Sequence, residues 1–375
     1  MEDAIVTHKP SQFLPVIDGF RAIAILSVII THSAMAWPWT ANHPETAKQM
    51  EYLLNTLGVP LFFIISGFCI VHGVLNHQKK HGQLQPVSVF LKRRFKRIYP
   101  PYFACLLIFL LKVLVVDLWV RGEGISAFTV LKMVFYNLFF LQIIAGDTPH
   151  INPAFWSLCV EAQFYILVAC ILGAINNARW GNQLAMVLIL LFSALSILAI
   201  LGVKSQWIQI GHDIWFMSIL RSWPLFLFGG FVAWMLTNDR SKNRDVFLIS
   251  NVCLIGLALF LAAIDQVGEA VMLSIFWFAM PWPCFGTFTL VGILRSLLSI
   301  KPLLFIGQIS YSTYLMHGLG IRFIGNKITY LFNDHVLLGM AGAIGLYFFI
   351  MVLSYAFFWT VERHWLRSVD RSLPA

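Results

Sequence analysis

The sequence predicts an all-helical, polytopic membrane protein with about ten transmembrane helices. Three observations predict it. Of its 375 residues, 59% are hydrophobic and 11% are charged, with a mean hydropathy of +0.78. A soluble domain carries about 25% charged residues to cover its surface, so this chain needs lipid to cover it. Its apolar residues fall in runs of roughly 20, the length at which a helix crosses a hydrocarbon core about 30 Å thick. No polar stretch is long enough to fold alone, so residues 1–375 read as one membrane domain.

The net charge of +9 would suggest nucleic acid in a soluble protein. Here topology and anionic lipid account for it, and no nucleic-acid partner is expected. The six cysteines all lie in apolar runs without a CxxC pair or Cys/His cluster, so neither disulfides nor a metal site is expected.

In chain order, residues 1–17 are a polar tail. Helix 1 covers about 18–37 and ends at Trp37-Pro38-Trp39, an aromatic interface with a breaker. Its apolar core resembles a signal peptide, but Glu2, Asp3 and Asp18 fit a basic leader poorly, so helix 1 is expected to be retained. After a loop at 38–51, helix 2 runs over about 52–75, where Pro60, Ser66 and Gly67 permit a kink and close contact. The most basic segment, about 76–97, leads into helix 3 at about 99–120. Residues 128–145 are apolar enough to dip into the membrane, yet Gly146, Pro149 and Pro153 follow. Helix 4 covers about 154–175, and further spans are expected at about 184–203, 214–236, 246–264, 270–293, 303–323 and 335–360. Residues 362–375 read as a short polar tail.

Charge decides the role of 128–145. If that segment does not cross, ten spans leave both termini cytoplasmic, and about 18 of the 26 Lys and Arg residues lie on the cytoplasmic side. If it crosses, the basic stretch Arg240 to Arg244 moves outside. The segment is therefore expected to be re-entrant or interfacial.

This topology sorts the polar residues by depth. Arg21 lies near the cytoplasmic face, and His32 is about 16 Å further along helix 1. Glu161 in helix 4 and His317 in the ninth span also fall in the outer half. Ionisable groups at such depth are functional candidates by default. An imidazole beside a carboxylate is a general-base arrangement; a proton relay or substrate path in a transporter uses the same residues. Asp18 is the expected ion-pair partner of Arg21. The cluster Lys92 to Arg97 sets topology or binds anionic lipid, or else its arginines take a phosphate-bearing donor.

Five elements together resemble the acyltransferase-3 family of integral membrane acyltransferases. They are Arg21 with His32; Phe62, Ser66, Gly67 and Phe68; Arg93, Arg94, Arg97 and Pro100; Trp156, Ser157, Glu161 and Tyr165; and Ser310, Tyr311, Tyr314 and His317. They stand in the family's order and cover nearly the whole chain. The resemblance implies transfer of an acyl group, usually acetyl, from acyl-CoA to a hydroxyl of a surface or exported glycan or lipid-linked glycan. The donor is a substrate, and no permanently bound cofactor is implied. By that resemblance His32, Arg21 and Glu161 are the catalytic candidates, and Arg93, Arg94 and Arg97 are expected to hold the donor; His317, Trp156 and Tyr311 are the candidates for contact with the acceptor, against a helix–helix hydrogen bond for His317 and a packing or belt role for Trp156. His32 acts as general base or is transiently acylated, with Glu161 orienting it or binding the sugar. Some relatives add an SGNH domain that passes the group on. None follows Ala375 in this sequence, which implies direct transfer or a separate polysaccharide-synthesis partner. A transporter or flippase for a lipid-linked saccharide is the competing reading; it needs neither acyl-CoA consumption nor a CoA phosphate site.

Overall fold

The computed structural model describes residues 14–34, 44–120, 124–145, 151–177, 179–209, 211, 214–215, 217–238, 244–263, 267–280, 289–321 and 336–366. The tail before residue 14, the Trp37-Pro38-Trp39 end of helix 1, Arg240, Lys242 and residues 367–375 lie outside them. The described residues are mostly helical, with turns and short irregular connections between helices and no strands among them.

The first helix, α1 (Leu14–Ala34), starts earlier than the apolar pattern alone indicates. Residues 44–51, expected in a loop, belong to α2 (Pro44–Leu57), which mixes polar and apolar side chains along its length and breaks only at Gly58. The next helix, α3 (Val59–His81), has Pro60 in its first turn, where the missing N–H removes no bond, and Gly82 as a left-handed cap at φ 72°. The basic cluster expected ahead of helix 3 is itself helical: α4 runs from Val87 to Lys112 and continues as a π-helical stretch, Val113–Val120. There Lys112 Nζ pairs with Asp117 at 2.5 and 2.7 Å, so this cation within an apolar run faces a carboxylate.

The segment expected to be re-entrant forms α5 (Ala127–Leu138). Twelve residues rise only about 18 Å, too little to cross. Phe140 then takes a left-handed conformation (φ 54°) and lays its ring 4.7 Å from that of Tyr102. The chain continues through α6 (Trp156–Asn177), α7 (Gly181–Lys204), α8 (Ile219–Thr237), α9 (Arg244–Ala263) and α10 (Val267–Ala279). Two expected continuous spans are broken. In the span 270–293, α10 ends at Ala279 with a bend at Met280, residues 281–288 lie outside the described residues, and α11 covers Thr289–Leu298; the span 303–323 divides at Ile309 into α12 (Lys301–Gln308) and α13 (Ser310–Gly320). Finally α14 (Val336–Phe357) ends in a π-helical turn, Phe358–Glu362. Glu362, expected at the head of a polar tail, is buried.

Seven helices among the described residues are long and apolar enough to cross a membrane, or eight if the α11–α12 pair, bent by 54°, is one span. The other expected spans fall on α9, α10 and α13, whose described apolar stretches are shorter, and on residues 264–266, 281–288 and 322–335, which lie outside the described residues. Outward-facing leucines, such as Leu190, Leu191 and Leu198 on α7, give the molecule the apolar exterior of an integral membrane protein.

Packing brings α3 against α8 most closely. A Cβ at Gly67 would overlap the Phe226 carbonyl, and one at Gly229 would overlap that of Ile64, so these backbones approach as only small residues allow. Two apolar clusters result. One is centred on α3, α8 and α10; the other joins α4, α13 and α14 around Phe109 and Phe155. A cavity lies between them.

Candidate active site

Each wall of the cavity comes from one face of one helix. On α1, Arg21 donates to Asp18 Oδ1 at 2.9 Å, the expected pair, and to Cys69 Sγ at 3.4 Å. On α3, Ser66, Cys69 and Ile70 lie on one face at helical spacing, with Phe62 and Phe63 a turn earlier. On α4, Arg94, Arg97 and Ile98 share a face. On α6, Ser157, Glu161 and Tyr165 repeat every four residues, and α13 adds Ser310, Tyr311 and Tyr314. The space among them is about 810 Å³, including its open mouth.

The lining carries three guanidiniums, Arg21, Arg94 and Arg97, and one carboxylate, Glu161, so it favours an anion. Glu161 Oε1 accepts from Ser66 Oγ at 2.7 Å and from Tyr165 OH at 2.5 Å. The Arg94 guanidinium lies 5.7 Å from the Phe90 ring centre and 6.0 Å from that of Tyr165. Its Nε is buried and has no hydrogen-bond partner among the described residues. Arginine offers donors in a planar fork that matches phosphate, and aromatic faces hold it in place.

Helical phase divides the expected donor-binding arginines. Arg94 and Arg97 line the cavity, whereas Arg93 donates to Gln85 Oε1 at 3.1 Å and is not part of the lining. Tyr311 lines the cavity and donates to the Ile98 carbonyl at 2.9 Å. Trp156 does not line it; its ring meets Phe63 edge-on at 6.2 Å.

The two histidines meet elsewhere. Exposed at the end of α1, His32 has its ring centre 5.1 Å from that of the buried His317. His32 Nδ1–H donates to the Val28 carbonyl at 2.9 Å, and His317 Nδ1–H to that of Tyr314 at 2.7 Å. Because carbonyls only accept, both neutral rings keep their lone pair on Nε2, the atom that can take a proton or an acyl group. Neither histidine lines the cavity. Tyr314 and Phe62 stand between, with the Tyr314 ring 5.9 Å from Phe62 and 5.7 Å from His317. Tyr314 OH donates to the Ala154 carbonyl at 2.5 Å, so the 2.6 Å contact with Ser157 is donated by the serine. Glu161 thus shares the cavity with Arg21 and Arg94, and its hydrogen bonds go to Ser66 and Tyr165 rather than to an imidazole.

The sequence reading passed over Tyr314, Cys69 and Tyr165 as individuals. Tyr314 and Tyr165 could have been found by spacing, since they lie on the same faces as Tyr311 and Glu161.

The profile of the acyltransferase domain family matches residues 14–363, which include every group described above. The chain is similar to the peptidoglycan O-acetyltransferase OatA of Listeria monocytogenes, at 24% identity over 330 residues, covering 83% of this chain and 50% of the relative. It is likewise similar to the O-acetyltransferase OatA of Staphylococcus aureus, at 24% identity over 352 residues, covering 84% of this chain and 52% of the relative. The chain therefore spans about half the length of these curated relatives. No solved structure matches it.

Proposed function

The chain belongs to the acyltransferase-3 family, and from that membership we propose that it moves an acetyl group from acetyl-CoA on the cytoplasmic side to a hydroxyl of an exported or surface glycan. One observation carries the donor assignment: three arginines converge on a single cavity within the apolar body of the protein. The pyrophosphate of CoA supplies the complementary charge, and Arg94 has an unpartnered donor to offer it.

The pantetheine arm is flexible and long enough to lead the thioester away from the arginines, past Phe62 and Tyr314. At the histidine pair, His32 Nε2 takes the proton of the acceptor hydroxyl. The oxygen attacks the thioester carbonyl, and CoA leaves as the thiolate. His317, tilted against it and held by the Tyr314 carbonyl, fixes the position of the His32 ring. Glu161 holds Ser66 and Tyr165 and balances the charge of the arginines in the wall.

Purified protein in nanodiscs with labelled acetyl-CoA and a peptidoglycan or exopolysaccharide acceptor tests the reading. CoA release should depend on the acceptor, and His32→Ala should lower acceptor acetylation at least about 100-fold while CoA binding persists. Acetylation at the wild-type rate in His32→Ala removes His32 from the chemistry. Binding of a lipid-linked saccharide without any consumption of acetyl-CoA supports the flippase instead.

A further inference from the structure

Glu362 is a carboxylate only 3% exposed, and the acyl-transfer steps above give it no task. It lies in the π-helical turn that closes α14. The exposed face of α14 is marked by Ile344, Phe348, Val352 and Tyr355. At about 100° per residue, position 362 of an unbroken α-helix falls on that same face. The wider i→i+5 turn rotates it away from lipid.

The turned-in carboxylate meets the start of α13. Glu362 accepts from the backbone N–H of Ser312 at 3.1 Å and from the Ser312 hydroxyl. First-turn amides have no carbonyl within their own helix, and an anion there also meets the positive end of the helix dipole. The residue before α13 is Ile309, which has no side-chain acceptor, so the cap comes from 50 residues downstream. On the other side of the break, Gly307 of α12 touches α1 so closely that a Cβ would overlap the Asp18 carbonyl. The break at Ile309 is thus held from both sides.

We propose that Glu362 is a positioning residue: through Ser312 it sets the rotation and depth of α13, and so places Tyr311 and Tyr314 in the cavity wall and His317 against His32. The effect on turnover rests on the acyl-transfer reading above; the effect on α13 does not.

The experiment compares Glu362→Ala, Glu362→Gln, Ser312→Ala and the Glu362→Ala/Ser312→Ala double variant in nanodiscs. It reads kcat and Kd for acetyl-CoA together with amide hydrogen exchange over residues 310–320. In Glu362→Ala, exchange at the start of α13 should quicken and kcat should fall about tenfold or more, while Kd, set from α4, stays within about threefold. Glu362→Gln, which keeps an acceptor, should restore at least about half of kcat. The double variant should be no worse than Glu362→Ala alone, because both act through one contact. Unchanged exchange in α13, or unchanged kcat per folded molecule, overturns the proposal. So does a loss confined to Kd, which would assign Glu362 to the arginines. If the wild-type protein leaves acetyl-CoA untouched, the acyl-transfer reading fails, and the exchange measurement still decides whether Glu362 holds α13.

Discussion

Arg93 and Arg94 are chain neighbours with different surroundings. One donates to Gln85 outside the cavity; the other lies against two aromatic rings inside it, with its Nε unpartnered. If the cavity holds CoA, Arg94→Ala should weaken acetyl-CoA binding about 10- to 100-fold, the range of a charge-assisted contact. Arg93→Ala should change it less than about threefold, because its contact is a partly exposed hydrogen bond. Equilibrium dialysis with labelled acetyl-CoA in nanodiscs measures both, and equal losses would return the cluster to a role in topology. The contact between the His32 and His317 rings goes beyond what was legible in the sequence, which was a common depth counted along two spans. The partners of Glu161 were not legible either. Depth leaves rotation open, and it is the face shared by Ser157, Glu161 and Tyr165 that points this carboxylate at Ser66.

At the scale of elements, the approach of α3 to α8 makes a sharp demand. Gly229→Val drives a branched side chain into the Ile64 carbonyl, and should destabilise the protein by about 3 kcal/mol or abolish its folded yield. Gly345→Ala on α14, where nothing lies within 4 Å of the added carbon, should leave stability unchanged or slightly raised. Thermal unfolding in detergent, followed by size-exclusion chromatography, compares the two; equal Tm values would mean that the close packing contributes little. Long apolar runs such as α6, α7 and α14 were legible because some twenty predominantly apolar residues in a row leave an unmistakable composition. The break at Ile309 was not, because it sits in a run whose composition stays apolar; the one at Met280 had a signal in Pro281 and Pro283, overridden by the apolar residues around them. The helical character of 44–51 was hidden for the opposite reason: its polar residues read as a loop. Glu362 escaped because a π turn changes which face a residue occupies without changing the sequence pattern around it.

At the scale of the molecule, the described helices turn large apolar side chains outward and the cavity's polar groups inward, so the site depends on the membrane-inserted fold. The distribution of Lys and Arg predicts which way it inserts. A cysteine placed at Gln206, in the exposed turn after α7, should react with a membrane-impermeant maleimide in intact cells, and one at Gln83, in the exposed turn after α3, should not. The reverse pattern would invert the orientation and put the arginines on the wrong side for a cytosolic donor. The aromatic partition of Phe62 and Tyr314 then has a bioenergetic meaning. A protein that joins a reactant on one face of a membrane to a reactant on the other risks becoming a hole, through which protons would run down their gradient. If an acyl group is passed across here, the Phe62 and Tyr314 rings, with the Tyr314 hydroxyl already committed to Ala154, set apolar surface along the route, and apolar surface disfavours a standing file of water.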